Sequence, residues 1–230
     1  MANKIDFGAN SHVETPSKSE AIFVKFKKQI LIAVAAIIVI IAGVILYNAY
    51  VAGPREDKAA TAMAKAQELF AAQQYDLALK GDKSFEGFLQ VASNYSGTDA
   101  ANLANLYAGL CYANLDKWQD AVKYLDQFST KDDAFISPSS MAALGNAYAH
   151  TKQIDKAVSC LKKAADMANA EAKDGVNISI APTCLMQAAR LLESQKKNDE
   201  ALGIYKEIKT KYVKSYYNSE IDKYIERLNK

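Results

Sequence analysis

The sequence predicts an all-α protein in which one transmembrane helix precedes a superhelix of about four helical hairpins closed by a C-terminal capping helix. Three observations carry this. Residues Ile30 to Tyr47 run for 18 positions without a charge. Beyond them, small residues recur in pairs twelve apart at four places along the chain. The chain finishes on a stretch that puts Ile221, Tyr224, Ile225 and Leu228 on one helical face.

The apolar run ILIAVAAIIVIIAGVILY comes first. At 1.5 Å per residue it covers about 27 Å, close to the thickness of a bilayer's hydrocarbon core, and residues 48–51 complete the span. A cleaved secretory signal is the competing interpretation. Its apolar stretch is usually shorter, and cleavage needs small residues three and one positions before the cut. A cut after Ala52 meets Tyr50 at the first of these positions and a cut after Ala49 meets Tyr47, while Pro54 follows Gly53 directly. Residues 30–51 are therefore expected to stay as a signal anchor. Lys18, Lys25, Lys27 and Lys28 precede the span, whereas Arg55 and Lys58 after it are offset by Glu56 and Asp57. Positive charge stays inside, which predicts a cytoplasmic N-terminus and an exported C-terminal part. Residues 1–29, polar and rich in Ser and Asn, are expected to form a disordered cytoplasmic tail. The exported domain is expected to span 55–230.

From residue 55 onward 23 Lys and Arg face 23 Asp and Glu, so the domain is electrically balanced. Nucleic-acid binding needs a clustered basic surface that releases counterions, and scattered lysines on a neutral domain do not supply one.

The paired small residues are Ala66 with Ala78, Gly109 with Ala121, Gly145 with Ala157, and Ala189 with Ala201. At such points two helices of a hairpin cross closely, because a larger substituent would hold them apart. Three residues after the first member stands a large one on the same face: Leu69, Tyr112, Tyr148 and Leu192. The second helices repeat an order of their own, with Trp118, Ala121 and Leu125, then Ile154, Ala157 and Leu161, then Ala201 and Tyr205. The first unit is degenerate, since its large apolar position falls near Gly81 and Asp82. Pro138 and Pro182 share a register and are expected just before the first helices of units three and four. The segments 80–84, 129–139 and 172–182 are expected as loops. In the last element Ser219 is the expected cap, and that helix covers the open end of the stack.

The stretches YAGLCYANLDKWQDAVKYLDQF and ALGNAYAHTKQIDKAVSCLKKA carry the small, aromatic, small, large order clearly, and ARLLESQKKNDEALGIYKEI carries it more weakly. In these residues the chain resembles the tetratricopeptide repeat family, which implies protein binding. The basic groove by which some members clamp a C-terminal carboxylate is absent, because its Lys and Arg positions are held by Leu, Asn and Ala. Taken whole, a short tail, one span and four repeats also resemble the membrane-anchored periplasmic ancillary subunits of the bacterial Sec translocon. That resemblance implies an inner-membrane protein with a periplasmic domain. It further implies association with translocon subunits, with a membrane-anchored prolyl isomerase and with exported clients in a chaperone network. A scaffold for another envelope or secretion complex is the alternative.

Groups that do chemistry are scarce. His12 lies in the tail, and His150 lies on a first helix without His, Cys or carboxylate at metal-ligand spacing. Cys111, Cys160 and Cys184 stand on three different repeats in apolar contexts, with no CxxC pair. Buried thiols are expected, and the sequence leaves a disulfide between two of them open. No phosphate loop, serine elbow or HExxH motif is present, and Asp132 with Asp133 is expected in a solvated turn. The sequence therefore predicts no catalytic residues, no metal and no cofactor.

What it does predict is a concave wall built by first-helix residues that face away from the packing seam. Gln67 and Phe70 come from the first unit, Leu103, Leu106, Leu110 and Asn114 from the second, Asn146 and His150 from the third, and Met186, Arg190 and Ser194 from the fourth. Leucine and methionine there suit adaptable contact with a segment of another protein. The same leucines also suit a core, and the sequence leaves both roles open.

Overall fold

A computed structural model describes residues 18–229, with side chains from residue 26 onward. His12 and the first 17 residues of the expected tail lie outside the described residues. The chain divides into two compact units, Met1–Gly53 and Pro54–Lys230.

In the first unit α1 covers Lys18–Tyr47 and is long and apolar enough to cross a membrane. Every residue from Leu31 to Tyr47 is exposed within the protein itself, as a lipid-facing helix requires. The helix reaches back to Lys18, so residues 18–29 are helical where the composition predicts a disordered tail. The reason is local: Ala21, Ile22, Phe23, Val24 and Phe26 extend the apolar character of the span toward the N-terminus. A π-helical turn, Asn48–Ala52, closes this unit and leaves Tyr47 and Tyr50 exposed at the end of the apolar run. Aromatic residues of this kind are enriched at membrane–water boundaries.

The second unit is built from α2 (Gly53–Ala71), α3 (Tyr75–Lys80), α4 (Phe88–Asn94), α5 (Asp99–Asn114), α6 (Trp118–Asp126), α7 (Ile136–His150), α8 (Ile154–Ala170), α9 (Ile180–Ser194), α10 (Asn198–Lys211) and α11 (Ile221–Leu228). Among the described residues the sole β-type pairing is an isolated bridge between Gly81 and Glu86. The hairpins are α2 with α3 and α4, α5 with α6, α7 with α8, and α9 with α10.

All eight of the paired small residues are buried. Their role is visible at the glycines. A Cβ on Gly109 would stand 2.5 Å from Leu125 Cγ, and one on Gly145 would stand 3.0 Å from Leu161 Cγ and 3.1 Å from the Ala157 carbonyl oxygen. The second helix lies where a side chain would otherwise be.

The turn inside each hairpin is also repeated, although no residue type in the sequence marks it. Gln73, Asp116, Lys152 and Lys196 all adopt left-handed backbone, with φ between 56 and 61°. Each lies seven residues after the first small position. The N–H of the next residue bonds back to the carbonyl of Leu69, Tyr112, Tyr148 or Leu192, at 2.9, 2.9, 2.9 and 3.0 Å. These are Schellman ends, which satisfy the last carbonyls of the first helix and reverse the chain. The large residue that marks the repeat is thus both a packing residue and the acceptor that sets the turn.

The first unit departs from the pattern because its second helix is split. α3 stops at Gly81, whose φ is 68° and whose Cβ would collide with the Gly87 backbone nitrogen. The chain resumes in α4, which supplies Phe88 and Val91, both fully buried. Phe88 takes the place of the large apolar residue missing near Asp82.

Helix starts differ from expectation in a consistent way. Pro138 and Pro182 are the third residues of α7 and α9, not residues before them. A first-turn N–H has no intrahelical partner, so proline is tolerated there without loss. The starts are fixed upstream by caps. Asp133 Oδ1 accepts from the N–H groups of Phe135, Ile136 and Ser137 at 3.0, 2.6 and 3.1 Å. Asn177 Oδ1 accepts from Ser179, Ile180 and Ala181 at 3.0, 2.7 and 3.4 Å. The loops before these helices accordingly cover 127–135 and 171–179.

At the C-terminus Ser219 does not cap α11. It belongs to a 3-10 turn, Tyr216–Ser219, and its hydroxyl donates to the Tyr216 carbonyl. Glu220 holds the N-cap position. The predicted stripe does pack: Ile221 is buried, and Tyr224, Ile225 and Leu228 close against the core of α9 and α10.

Candidate protein-binding groove

Leu103, Leu106, Tyr107 and Leu110 follow helical spacing on one face of α5. Across from them the start of α7 brings Phe135, Ile136, Ser139 and Ser140, and together the eight residues line an apolar pocket of about 310 Å³. Its floor and rim differ. Leu106 is 9 % exposed and belongs to the central core cluster, so it is mainly a core residue. Leu103 and Leu110 are half-buried, while Phe135 is 72 % and Ile136 49 % exposed.

The rim is held in place by hydrogen bonds. Asp133 grips the backbone of Phe135, Ile136 and Ser137 and accepts from the Ser137 hydroxyl at 2.5 Å. The Ser137 hydroxyl oxygen in turn accepts from the Lys131 N–H at 2.8 Å. Desolvation acts to raise the Asp133 carboxyl pKa, but the Ser137 hydroxyl and the three N–H groups outweigh it and hold it below 3.8. Asp133 is therefore a helix cap that fixes the groove's edge. Phe135 and Ile136 were missed by sequence reasoning because they precede Pro138 in a stretch expected as loop. An Asp two to four residues before an apolar helix start is the signal that points to them.

The other predicted wall residues divide among different settings. Gln67 is half-buried on α2. Phe70 joins an aromatic cluster, edge-on to Tyr75, Phe88 and Tyr107 at 5.5, 6.3 and 5.1 Å, with Phe88 stacked on Tyr107 at 4.9 Å. Phe70 thus supports the pocket through Tyr107. Asn114 is exposed and donates to the Leu110 carbonyl at 2.8 Å. Asn146 is half-buried. His150 is exposed but stacks flat on Trp118, with ring centroids 3.6 Å apart.

Of the three α9 residues expected in the wall, Met186 is buried while Arg190 and Ser194 are exposed. Met186 is 1 % exposed and sits inside the C-terminal core, because α8, α10 and α11 enclose its helix. Arg190 donates to the Tyr224 hydroxyl at 2.9 Å and lies over that ring, so α11 engages it. Ser194 turns back to the Leu191 carbonyl.

A larger cavity of about 370 Å³ opens between α6, α7 and α8, with Asp126, Ser129, Thr130 and Lys163 among its walls. Its mixed polar lining makes it a poorer site for an apolar segment than the α5–α7 pocket. The three cysteines are free. Burial pushes the Cys111 thiol up to about 12 and Cys184 up to about 11. Cys160 is raised too, chiefly by burial and then by Asp126. These are inert thiols, the reverse of an activated nucleophile. Among the described residues no group of three His, Cys, Asp or Glu is placed to hold a metal.

Comparison with known proteins bears on the fold. The family model of the tetratricopeptide repeat matches residues 103–132 and 183–215. These are the α5–α6 and α9–α10 hairpins. The α7–α8 hairpin lies outside both matches, although its small pair and its turn follow the same geometry. The crystal structure of kinesin light chain TPR-like repeats from Podosopora anserina is similar at 15 % identity, covering 75 % of this chain and 86 % of that one with a TM-score of 0.53. A single-residue variant of the same repeats is similar to the same degree, with 85 % of that chain covered. No curated protein matches the chain.

Proposed function

We propose that this chain, which carries tetratricopeptide repeats, is a non-catalytic adaptor: residues 30–51 hold it in the inner membrane and the repeat domain docks other proteins in the periplasm. The observation that carries the docking role is the α5–α7 pocket, an apolar cleft with two large hydrophobic residues exposed at its rim. Such a cleft accepts the apolar face of a helix or an extended segment. The absence of a basic clamp argues against recognition of a carboxylate terminus, so side chains of the partner carry the affinity. The lysines before the span support the orientation, with the N-terminus cytoplasmic and residues 55–230 outside. The layout of tail, span and repeats supports partners among the export machinery, namely Sec translocon subunits, a membrane-anchored prolyl isomerase and exported clients.

Phe135→Glu and Leu110→Glu test this reading, because both positions face the pocket and neither is fully buried. Partners are crosslinked in membranes, extracted in mild detergent and identified. Loss of capture with an unchanged melting temperature is the expected result. Retention of every partner by folded variants would sink the groove as the site. Translocon subunits and a prolyl isomerase among the captured proteins support the export role, and a single envelope machine replaces it with an assembly role.

A further inference from the structure

In a stack of antiparallel hairpins the connections fall on two edges, and in this domain the two edges differ in chemistry. One edge carries the four tight turns inside the hairpins: Gln73 and Gln74, Asp116 and Lys117, Lys152 and Gln153, Lys196 and Lys197. It is polar throughout. The other edge carries the connections between hairpins, and there the domain exposes Phe135 (72 %), Ile136 (49 %), Ile178 (51 %), Val213 (57 %) and Tyr216 (78 %). Leu77 on α3 is the one large hydrophobic residue of the second unit exposed away from this edge among the described residues.

The N-terminus of α2 belongs to the apolar edge. The Glu56 carboxylate accepts from the N–H groups of Asp99 and Ala100 at 2.7 and 2.8 Å, and Arg55 donates to the Asn94 carbonyl. Asp99 pairs with Lys131, and Asn102 bonds both the N–H and the carbonyl of Ser129, which ties the next connection to the same edge. α2 begins at Gly53, directly after the apolar run. In the chain, the N-terminal end of this edge therefore follows the apolar run.

We propose that the inter-hairpin edge is a membrane-surface contact, in which Ile178, Val213 and Tyr216 enter the boundary between headgroups and acyl chains of the bilayer that anchors the chain, Phe135 being left to the groove. Apolar residues scattered singly need no special account, but three collected on the edge that follows the anchor, beyond the groove rim, do. Tyrosine suits the boundary because one end is apolar and the other is wet. Charges on these connections are mixed, with Lys131, Asp132 and Asp133 in one, Glu171, Lys173 and Asp174 in the next, and Lys214 and Glu220 in the last. The contact therefore depends on apolar insertion and not on anionic lipid. The tether keeps the local concentration of lipid high, so a weak contact is well occupied.

The inference rests on the reading of residues 30–51 as a span, and the test separates the two. Full-length chains carrying Trp118→Phe with either Tyr216→Trp or Lys152→Trp are reconstituted singly into phosphatidylcholine nanodiscs containing shallow brominated lipid. Tryptophan at 216 should be quenched several-fold more than tryptophan at 152, with no dependence on salt. Adding Ile178→Asp and Val213→Asp should abolish the difference while partner capture by the groove persists. Equal quenching at both sites, in chains that resist alkaline extraction from vesicles, overturns the edge contact and leaves the span intact. Extraction of the chain by alkali overturns both. Quenching that requires two chains per disc overturns the lipid contact in favour of a second copy.

Discussion

A methyl group is enough to test how closely the hairpin helices cross. At Gly109 it would meet Leu125 Cγ at 2.5 Å and the Leu125 nitrogen at 3.0 Å, and Leu125 is itself buried. Gly109→Ala should lower stability by about 1–3 kcal/mol through overpacking. Gly203, on the exposed side of α10, has nothing within 4 Å of the same methyl. Gly203→Ala should raise stability by roughly 0.5–1 kcal/mol, because glycine in a helix is costly in chain entropy. Chemical denaturation of the two variants reads both effects. The close approach at Gly109 was legible because a small residue recurring in a periodic pattern marks the point where two helices meet. The left-handed turn residues were not. Gln73, Lys152 and Lys196 carry no local preference for that conformation, and the structure imposes it through the Schellman bonds.

At the level of the helix, caps decide where elements begin, and the cap of α7 also sets the rim of the groove. Asp133→Ala should cost about 1 kcal/mol, as loss of a capping side chain does. The dependence on pH has a definite sign. The folded-state pKa lies below the ordinary value of 3.8, so the stabilisation is present above that value and is lost as pH falls through the lowered one. The difference between wild type and variant, followed by thermal melts from neutral to acid, should shrink at the acid end. The sequence identified the helices by the spacing of Ala121, Leu125, Ala157 and Leu161, which is set by geometry. It placed the starts of α7 and α9 too late because it took Pro138 and Pro182 as boundaries, whereas the controlling residues are Asp133 and Asn177 upstream. That shift hid Phe135 and Ile136. On α9 the difference is of another kind: Met186 keeps the spacing for an inner wall but is buried in the C-terminal core, while Arg190 stays exposed and is engaged by Tyr224 of α11, and no local pattern reports what a later helix will meet.

For the molecule as a whole, the charge distribution around residues 30–51 predicts an exported domain. A reporter active only outside the cytoplasm, fused to the C-terminus, should be active, and activity of a cytoplasm-only reporter there would reverse the orientation. The domain itself is not built on one core. Its buried residues fall into three clusters: one from α2 through α5, a small central one of Leu106, Ala121, Leu125, Leu144 and Ala147, and one from α8 to α11. In such a chain each hairpin mainly stabilises its neighbours, and opening need not be all or none. The pocket lies over the join between the first two clusters, since Leu103 and Tyr107 pack on one and Leu106 and Leu110 on the other. A segment seated there would couple halves that otherwise fluctuate semi-independently. Occupancy would then register less as a change of shape than as a gain in cooperativity, with a seam between clusters becoming the one that a partner holds closed.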